Sequence, residues 1–456
     1  MRQEASAPAT FNQDVALCAA EQPRTERMQH QGPAWTVTAA CAARTDPVRL
    51  CEALQQLPVR HQVLRTAFCR TDLGSEGLRC RVLERNRQRG FVLPGLYEQR
   101  VQPYGAVPCI VETTAESRRW MLSSSVEEPA VIPIHLYAML HQAGQRSWLR
   151  LTVSRLIADR QSLDLLLTDL DALYTAGTAV PLSQPDAFAR HAAREKEQWA
   201  SAVRDPSLDY WRSVWRARES WIVREDDLGL AGDASPAPAT DVVRLVLDVA
   251  VVGRIEQAVA AGACSRQSFA AAVAAVALHA LTFRPVLGLW VRFANRHAAG
   301  TRQTVGWFSN LHPVVIDLCG DPLGADLIDR VSSALQDAEA HSPMPLPALW
   351  CQVGARMAEG FRLGVSSGGQ APAGAAASLF QDTPRIVTSL TDVDAEMNLQ
   401  WGSPPELTLT YRSDRMSPER ARAFVGSLCR AVAWVADGLD NRLSTYAAVD
   451  VELAGR

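Results

Sequence analysis

The stretch SWLRLTVSRLIADRQSLDLL, residues 147–166, contains the change of hydrophobic period that decides the fold class. As far as Leu156, apolar and polar residues alternate, which predicts a β-strand with one buried and one polar face. Asp159 and Arg160 end this alternation, and leucines then recur at helical spacing as far as Tyr174. A strand that leads directly into an amphipathic helix is typical of a mixed α/β protein.

Strand and helix patterns continue to alternate on both sides of this stretch. Before it, residues 47–56 have helical spacing and residues 63–69 have a strand-like pattern. After it, the patterns predict strands at 242–249, 285–293 and 406–412, and helices at 252–261, after Ser265 and at 417–438. Residues 176–187, AGTAVPLSQPDA, are rich in Pro, Gly and Ser and predict a break. We therefore predict an α/β fold with two lobes, residues 1–180 and 181–456.

Composition and charge are those of an ordinary globular protein. The chain is 47% hydrophobic and 21% charged, with a formal net charge of -3, so we expect neither nucleic acid nor an anionic membrane as a partner. The longest apolar stretch, residues 268–283, is too short to span a bilayer. The ten cysteines form no C-x-x-C pair and no Cys/His zinc spacing. This favours reduced cysteines in a cytoplasmic protein without a metal site.

Five short segments resemble, in the same order, segments of the condensation domains of nonribosomal peptide synthetases. The central one, SRLIADRQSLDLL at 154–166, stands where that family has the motif HHxxxDGxSxxLL. The others are VRHQVLRTAF (59–68), DYWR (209–212), VGWFSNLHP (305–313) and ELTLTYR (406–412). Each segment is short, but their order along nearly the whole chain makes the resemblance specific.

The resemblance implies two chloramphenicol acetyltransferase-like lobes that form a V-shaped pseudodimer with a tunnel between them. In that family, an acyl group reaches the tunnel as a thioester on the phosphopantetheine arm of a carrier protein. The acceptor amine enters from the other side, and no bound cofactor is needed. We therefore expect amide-bond formation in antibiotic biosynthesis, with an acyl or peptidyl carrier protein and a small amine supplied in trans.

Both motif histidines are replaced in this chain, by Ser154 and Arg155. By the resemblance, Arg155 stands at the position that orients or deprotonates the amine, but a guanidinium stays protonated and cannot act as a base. Ser154 has no histidine beside it to activate its hydroxyl. Loss of a general base typically costs about 10²–10⁴-fold in rate. Aminolysis of an activated thioester can still proceed when the protein brings the reactants together.

The residues around the replaced histidines suggest a retained scaffold. Asp159 matches the motif aspartate, which in the family is structural and pairs with the arginine of the LRT segment, here Arg65. We expect these two residues to form a buried ion pair without a catalytic role. Arg160 replaces the motif glycine, so the tight turn and any oxyanion-stabilising amide there are open to question.

Two residues elsewhere are candidate substitutes for the histidines. Alternate side chains of a strand share a face, so Cys69 is expected to point the same way as Arg65, where its thiolate could accept an acyl group. His312 is a candidate displaced base. For each, a structural role is the alternative: a small buried thiol and a structural histidine. Asn310 is expected to support the site by bonding to backbone rather than to substrate.

Three functions remain open at this point. The first is the amide synthase described above. The second is a catalytically inactive module that recruits a tailoring enzyme or a carrier protein, because a degenerate condensation-like domain of glycopeptide assembly lines also has arginine at the second histidine position. The third is a coenzyme A-dependent acyltransferase of the same superfamily, although such enzymes normally keep the motif histidine. Fold alone does not decide among them.

Overall fold

The structure is a computed structural model. It describes residues 6–20, 34–43, 45–70, 97–101, 109–113, 117–120, 135–176, 187–200, 205–228, 230, 240–298, 300–353, 361–368, 378–381, 384–388, 393–401, 405–437 and 440–446. Within these ranges no helix combines the length and the apolar character that a membrane span requires.

The described ranges alternate between strands and helices. The strands are β1 (Ser6–Pro8), β2 (Ala34–Cys41), β3 (Thr66–Arg70), β4 (Tyr97–Val101), β5 (Cys109–Thr113), β6 (Ser117–Trp120), β7 (Leu136–Ala143), β8 (Arg146–Ser154), β9 (Thr240–Val246), β10 (Val286–Phe293), β11 (Asn310–Asp317), β12 (Leu363–Gly368), β13 (Arg385–Thr388), β14 (Ala395–Gln400) and β15 (Glu406–Arg412). The helices are α1 (Phe11–Ala20), α2 (Pro47–Arg60), α3 (Arg160–Ala176), α4 (Ala187–Ala200), α5 (Pro206–Arg216), α6 (Arg218–Trp221), α7 (Val249–Ala260), α8 (Arg266–Thr282), α9 (Gly324–His341), α10 (Leu346–Val353) and α11 (Pro418–Asp437).

Residues 147–166, which contain the change of hydrophobic period, lie at the centre of the first lobe. Its sheet has the strand order β13–β2–β8–β7–β5–β6, and β8 pairs antiparallel with both β2 and β7. Leu149, Leu151 and Val153 of β8 are buried in one core with leucines of α2 and α3. The alternation of the sequence therefore gives β8 one buried face, as predicted, and this face lies in the same core as leucines of these two helices.

The second lobe is built on another six-stranded sheet, in the order β11–β10–β12–β14–β15–β9. Its core contains α8, which is buried along most of its length and begins with a capping box formed by Ser265 and Ser268. On β14, Ala395 and Met397 are fully buried in this core, whereas Glu396 is partly exposed on the opposite face. The sheet therefore has one apolar face against the helices and one more polar face.

One strand from the second half of the sequence belongs to the sheet of the first lobe. β13 belongs to residues 181–456 in sequence, but it pairs antiparallel with β2 at the edge of the first sheet. Leu379 and Val305 also lie in the core of the first lobe. Residues after position 180 therefore contribute to the core of the first lobe as well as to that of the second.

The observed elements follow the predicted ones with local shifts. α3 extends beyond the predicted 161–174, and the predicted strand at 63–69 begins instead with a 3₁₀ turn over Gln62–Arg65. The N–H of Thr66 donates to the carbonyl of Val63 and closes this turn, and β3 starts there. A local hydrogen bond therefore decides the conformation of residues whose apolar pattern alone suggests a strand.

Candidate active site between the lobes

A cavity of about 390 Å³ lies between the two lobes. The described first-lobe residues that line it are Trp35, Asp159, Arg160, Gln161, Asp164 and Ile386. Those of the second lobe are Gln267, Arg292, Ala294, Ser309, Val365, Ser366, Glu396, Asn398, Thr408 and Thr410. Its volume is in the range of small-ligand sites. Neither histidine nor cysteine occurs among these described lining residues.

Ser154 ends β8 and does not belong to the described cavity lining. Its N–H donates to the carbonyl of His135 at 2.8 Å, and its hydroxyl accepts from the N–H of Leu156 at 3.3 Å. These bonds shape the turn that leaves the strand. The position of the first motif histidine therefore has a local structural role in this chain.

Arg155 is buried and also stands outside the described cavity lining. Its guanidinium carbon lies 5.4 Å from the centre of the Trp35 ring, within the range of a cation–π contact. Trp35 lines the cavity, and its indole N–H donates to the carbonyl of Ala158 at 2.9 Å. The residue at the second histidine position thus supports the cavity wall through an aromatic ring.

Asp159 forms an ion pair across the lobes. Its Oδ1 lies 2.7 Å from Nη2 of Arg296 and accepts from the N–H of Ser162 at 2.9 Å. Its Oδ2 accepts from the N–H of Phe308 at 3.1 Å. The Asp159 and Arg296 side chains are each 3% exposed. The expectation that Asp159 pairs with Arg65 is therefore wrong, because the motif aspartate pairs with an arginine of the second lobe.

Arg65 has a different hydrogen-bond partner. It ends the 3₁₀ turn before β3, and its Nε donates to the carbonyl of Pro58 at 3.3 Å. Asp159 instead caps the first turn of α3, where its carboxylate accepts from Ser162 and faces the loop after β10. Arg296 lies in that loop. Nothing in its local sequence distinguishes it from the many other arginines of the chain, so sequence reasoning missed it.

Arg160 and Asp164 form a charged pair on the cavity wall. They lie one turn apart on α3, with Nη2 of Arg160 3.5 Å from Oδ1 of Asp164. Burial raises the pKa of Asp164, the Arg160 charge lowers it, and the Asp159 charge raises it. Arg160 has helical backbone and is not among the residues with positive φ, so its replacement of glycine requires no backbone strain. Asp164 was missed because it lies within a run of leucines that reads as a core helix.

His312 lies inside the second lobe. It is fully buried on β11 and stacks on Trp211 with ring centres 4.3 Å apart. Burial lowers its pKa to about 3, so the imidazole is neutral at ordinary pH. The structure therefore places His312 in the core and not with the described cavity residues, which is the position of a structural histidine.

Asn310, two residues earlier on β11, is also buried. Its amide donates to the carbonyl of Ser342 at 2.9 Å, and its carbonyl oxygen accepts from the side chain of Asn12 at 2.7 Å. It thus bonds to backbone, as expected, and it also ties α1 to the second lobe.

Cys69 lies on β3, where its backbone is opposite Glu98. Its side chain lies outside the described residues, so its role as a nucleophile stays a prediction.

The polar wall contributed by the second lobe was not predicted from the sequence. Glu396 and Asn398 alternate with buried residues along β14, and Thr408 and Thr410 face the cavity from β15. The alternation AEMNLQ at 395–400 was the available signal. It identifies a strand with a polar face, but the sequence does not show that this face meets the motif segment.

Comparison with known proteins shows the family that this chain matches. A family model described as Condensation domain matches residues 132–362. Among curated proteins, the chain is 24% identical over 320 residues to one of the linear gramicidin synthase proteins of Brevibacillus parabrevis, a match that covers 67% of this chain and 6% of that protein. It is also 24% identical over 353 residues to phosphinothricin tripeptide synthetase PhsB of Streptomyces viridochromogenes, covering 76% and 28% respectively. The chain therefore spans only a small part of each of these relatives.

Solved structures share the fold over almost the whole chain. The condensation domain of the monacolin K polyketide synthase MokA superposes with a TM-score of 0.74 at 17% identity, covering 96% of this chain and 99% of that one. The X-domain in its complex with OxyB from teicoplanin biosynthesis superposes with a TM-score of 0.64 at 18% identity, covering 97% and 96%. At these identities the likeness shows the fold alone.

Proposed function

The chain belongs to the condensation-domain family, and we propose that it forms an amide bond between a carrier-bound acyl group and a small amine. The acyl group would arrive as a thioester on the phosphopantetheine arm of an acyl or peptidyl carrier protein. The observation that carries the proposal is the cavity of about 390 Å³ between the lobes, which is lined by the motif segment on one side and by a polar sheet face on the other. An antibiotic pathway in the cytoplasm is the setting that the resemblance implies.

The proposed reaction is direct aminolysis. The acceptor reacts as the neutral amine, so an ammonium first loses one proton to solvent. The amine nitrogen then attacks the thioester carbonyl, a C–N bond forms, the C–S bond breaks, and a second proton leaves the nitrogen for the departing thiolate. The described lining residues offer no histidine for this proton. We therefore assign the acceleration mainly to holding the two reactants together, a contribution that can reach several kcal/mol.

The direct route differs from a covalent route through Cys69. In the covalent route the Cys69 thiolate takes the acyl group before the amine does. The variant C69S should keep the single-turnover rate within about twofold if transfer is direct, and should lower it at least about a hundredfold if Cys69 carries the acyl group. Intact-protein mass spectrometry tests independently whether an acyl group becomes attached to the enzyme.

The assay for the proposal is product formation from carrier-bound acyl thioesters. Carrier proteins loaded with a panel of aminoacyl groups are mixed with a panel of small amines, with and without the protein, and amides are quantified by mass spectrometry. The proposal predicts at least one donor and acceptor pair whose product forms faster with the protein. Rates equal to the protein-free rate across the panels would reject it.

The second candidate is a module that binds a tailoring enzyme or a carrier protein without catalysis. Its support is that Ser154 and Arg155 have structural contacts and that the described cavity lining contains no histidine. The X-domain whose fold it shares is bound to OxyB. A pull-down that retains a tailoring oxygenase, together with an inactive panel assay, would favour this candidate.

A further inference from the structure

The second-lobe wall of the cavity contains two acceptor oxygens that no described residue satisfies. Oε2 of Glu396 and Oδ1 of Asn398 are buried, and neither has a hydrogen-bond partner in the described part of the chain. Both side chains line the cavity from the same face of β14. Buried polar atoms in folded proteins are nearly always bonded, because an unsatisfied acceptor costs about 1–3 kcal/mol. A pair of such atoms on one cavity wall is therefore available to hydrogen-bond a ligand that enters the cavity.

The surrounding side chains leave these oxygens available. Across the sheet from Glu396, β12 has Gly364, which has no side chain to cover the carboxylate. The hydroxyl of Thr408 donates to the backbone carbonyl of Asn398 at 3.4 Å and not to its side chain. The lining contains two described arginines, Arg160 and Arg292, and Glu396 forms an ion pair with neither. Arg160 is paired with Asp164. The wall thus presents unused acceptors, one of which is a carboxylate.

We propose that Glu396 and Asn398 bind the primary ammonium group of the acceptor substrate. An ammonium is compact, positively charged and has three donors with no acceptor, so one such group can bond to both oxygens. The two residues are two apart on a strand, which places their side chains on the same face with Cα atoms about 6.6 Å apart. A hydroxyl, with a single donor and no charge, satisfies only one of them. The inference deepens the proposed function, on which it rests, by assigning two residues to the binding of the acceptor amine.

The test compares a charged and an uncharged ligand of the same shape. Binding of n-butylamine and n-butanol to the full-length protein is measured by ligand-detected NMR titration at pH 7, where the amine is protonated. The wild-type protein should bind the amine roughly tenfold or more tightly than the alcohol, since a hydrogen bond to a charged group contributes that much. E396Q should remove most of this preference, and N398A should reduce it.

A matched control removes a charge from the opposite wall. D164N replaces a carboxyl of the cavity lining by an amide, as E396Q does, but on α3. It should leave the preference for the amine within about twofold, since Asp164 already faces Arg160. Equal losses in D164N and E396Q would overturn the proposal, because the preference would then follow the overall charge of the cavity. A wild-type protein without any preference for the amine would overturn it as well.

Two features keep this test interpretable. E396Q removes a partly buried carboxylate that forms no ion pair with a described residue, so its melting temperature should equal or exceed that of the wild type, which separates lost binding from lost folding. The titration uses neither carrier protein nor acyl donor. A failed condensation assay therefore rejects the proposed function but does not change the measured amine preference. An absent amine preference rejects the proposed ammonium site but does not change the outcome of the condensation assay.

Discussion

At the residue scale, Asp159 shows what the sequence could and could not provide. Its position in the motif predicted a structural carboxylate, and the structure gives it a buried ion pair and three further hydrogen bonds. Its partner could not be predicted, because pairing with Arg296 depends on how the loop after β10 meets the first lobe. Glu396 was missed for the same reason. The alternation of its strand could be recognised in the sequence, but its position opposite the motif segment is a property of the tertiary fold.

The Asp159 pairing is testable by a double-mutant cycle. Removing one partner of a buried pair leaves an uncompensated charge, so D159N and R296M should each lower the free energy of unfolding by about 3–5 kcal/mol. The D159N–R296M pair should show a coupling above about 1 kcal/mol in urea unfolding, whereas D159N with R65M should be additive within about 0.5 kcal/mol. Strong coupling to Arg65 in place of Arg296 would contradict the structure.

At the element scale, most strands and helices follow from hydrophobic period, as the match of β15 with the predicted strand at 406–412 illustrates. The contacts between these elements do not follow from the hydrophobic period. Gly306, in the segment VGWFSNLHP, is an example: its carbonyl accepts from the hydroxyl of Ser162 at 2.8 Å, which brings the second-lobe loop against α3. A Cβ at Gly306 would lie 2.2 Å from Cδ2 of Phe188, so only glycine fits there.

Gly306 provides a prediction about this contact between elements. G306A should destabilise the protein by about 1–3 kcal/mol, because the methyl group would enter the packed Phe188 ring. The matched control is G253A on α7, where a Cβ meets nothing within 4 Å and alanine should stabilise the helix by about 0.5–1 kcal/mol. Urea unfolding midpoints of the two variants should therefore move in opposite directions. A G306A midpoint at or above the wild-type value would contradict the described packing.

At the scale of the whole molecule, the resemblance predicted the mixed α/β architecture of the family, and the comparisons confirm it. It did not predict that β13 returns to the first sheet, because strand pairing between residues 35–38 and 385–388 leaves no signal in either local sequence. This return and the Asp159–Arg296 pair both tie the lobes together beside the cavity. The molecule therefore keeps the condensation-domain fold, with Ser154 and Arg155 where the resemblance leads us to expect two histidines.

We propose this cavity as the place where acyl donor and amine react. Ala294 lines the cavity and is exposed, so A294W should fill much of it without disturbing the core. Ala298 is exposed and outside the described lining, which makes A298W the matched control.

The decisive measurement is the single-turnover rate of amide formation from a carrier-bound thioester and an amine found active in the panel assay. We expect a rate above the protein-free reaction for the wild type and for A298W, and a rate near the protein-free value for A294W. An A294W rate equal to that of the wild type and A298W would show that the reaction does not take place in this cavity.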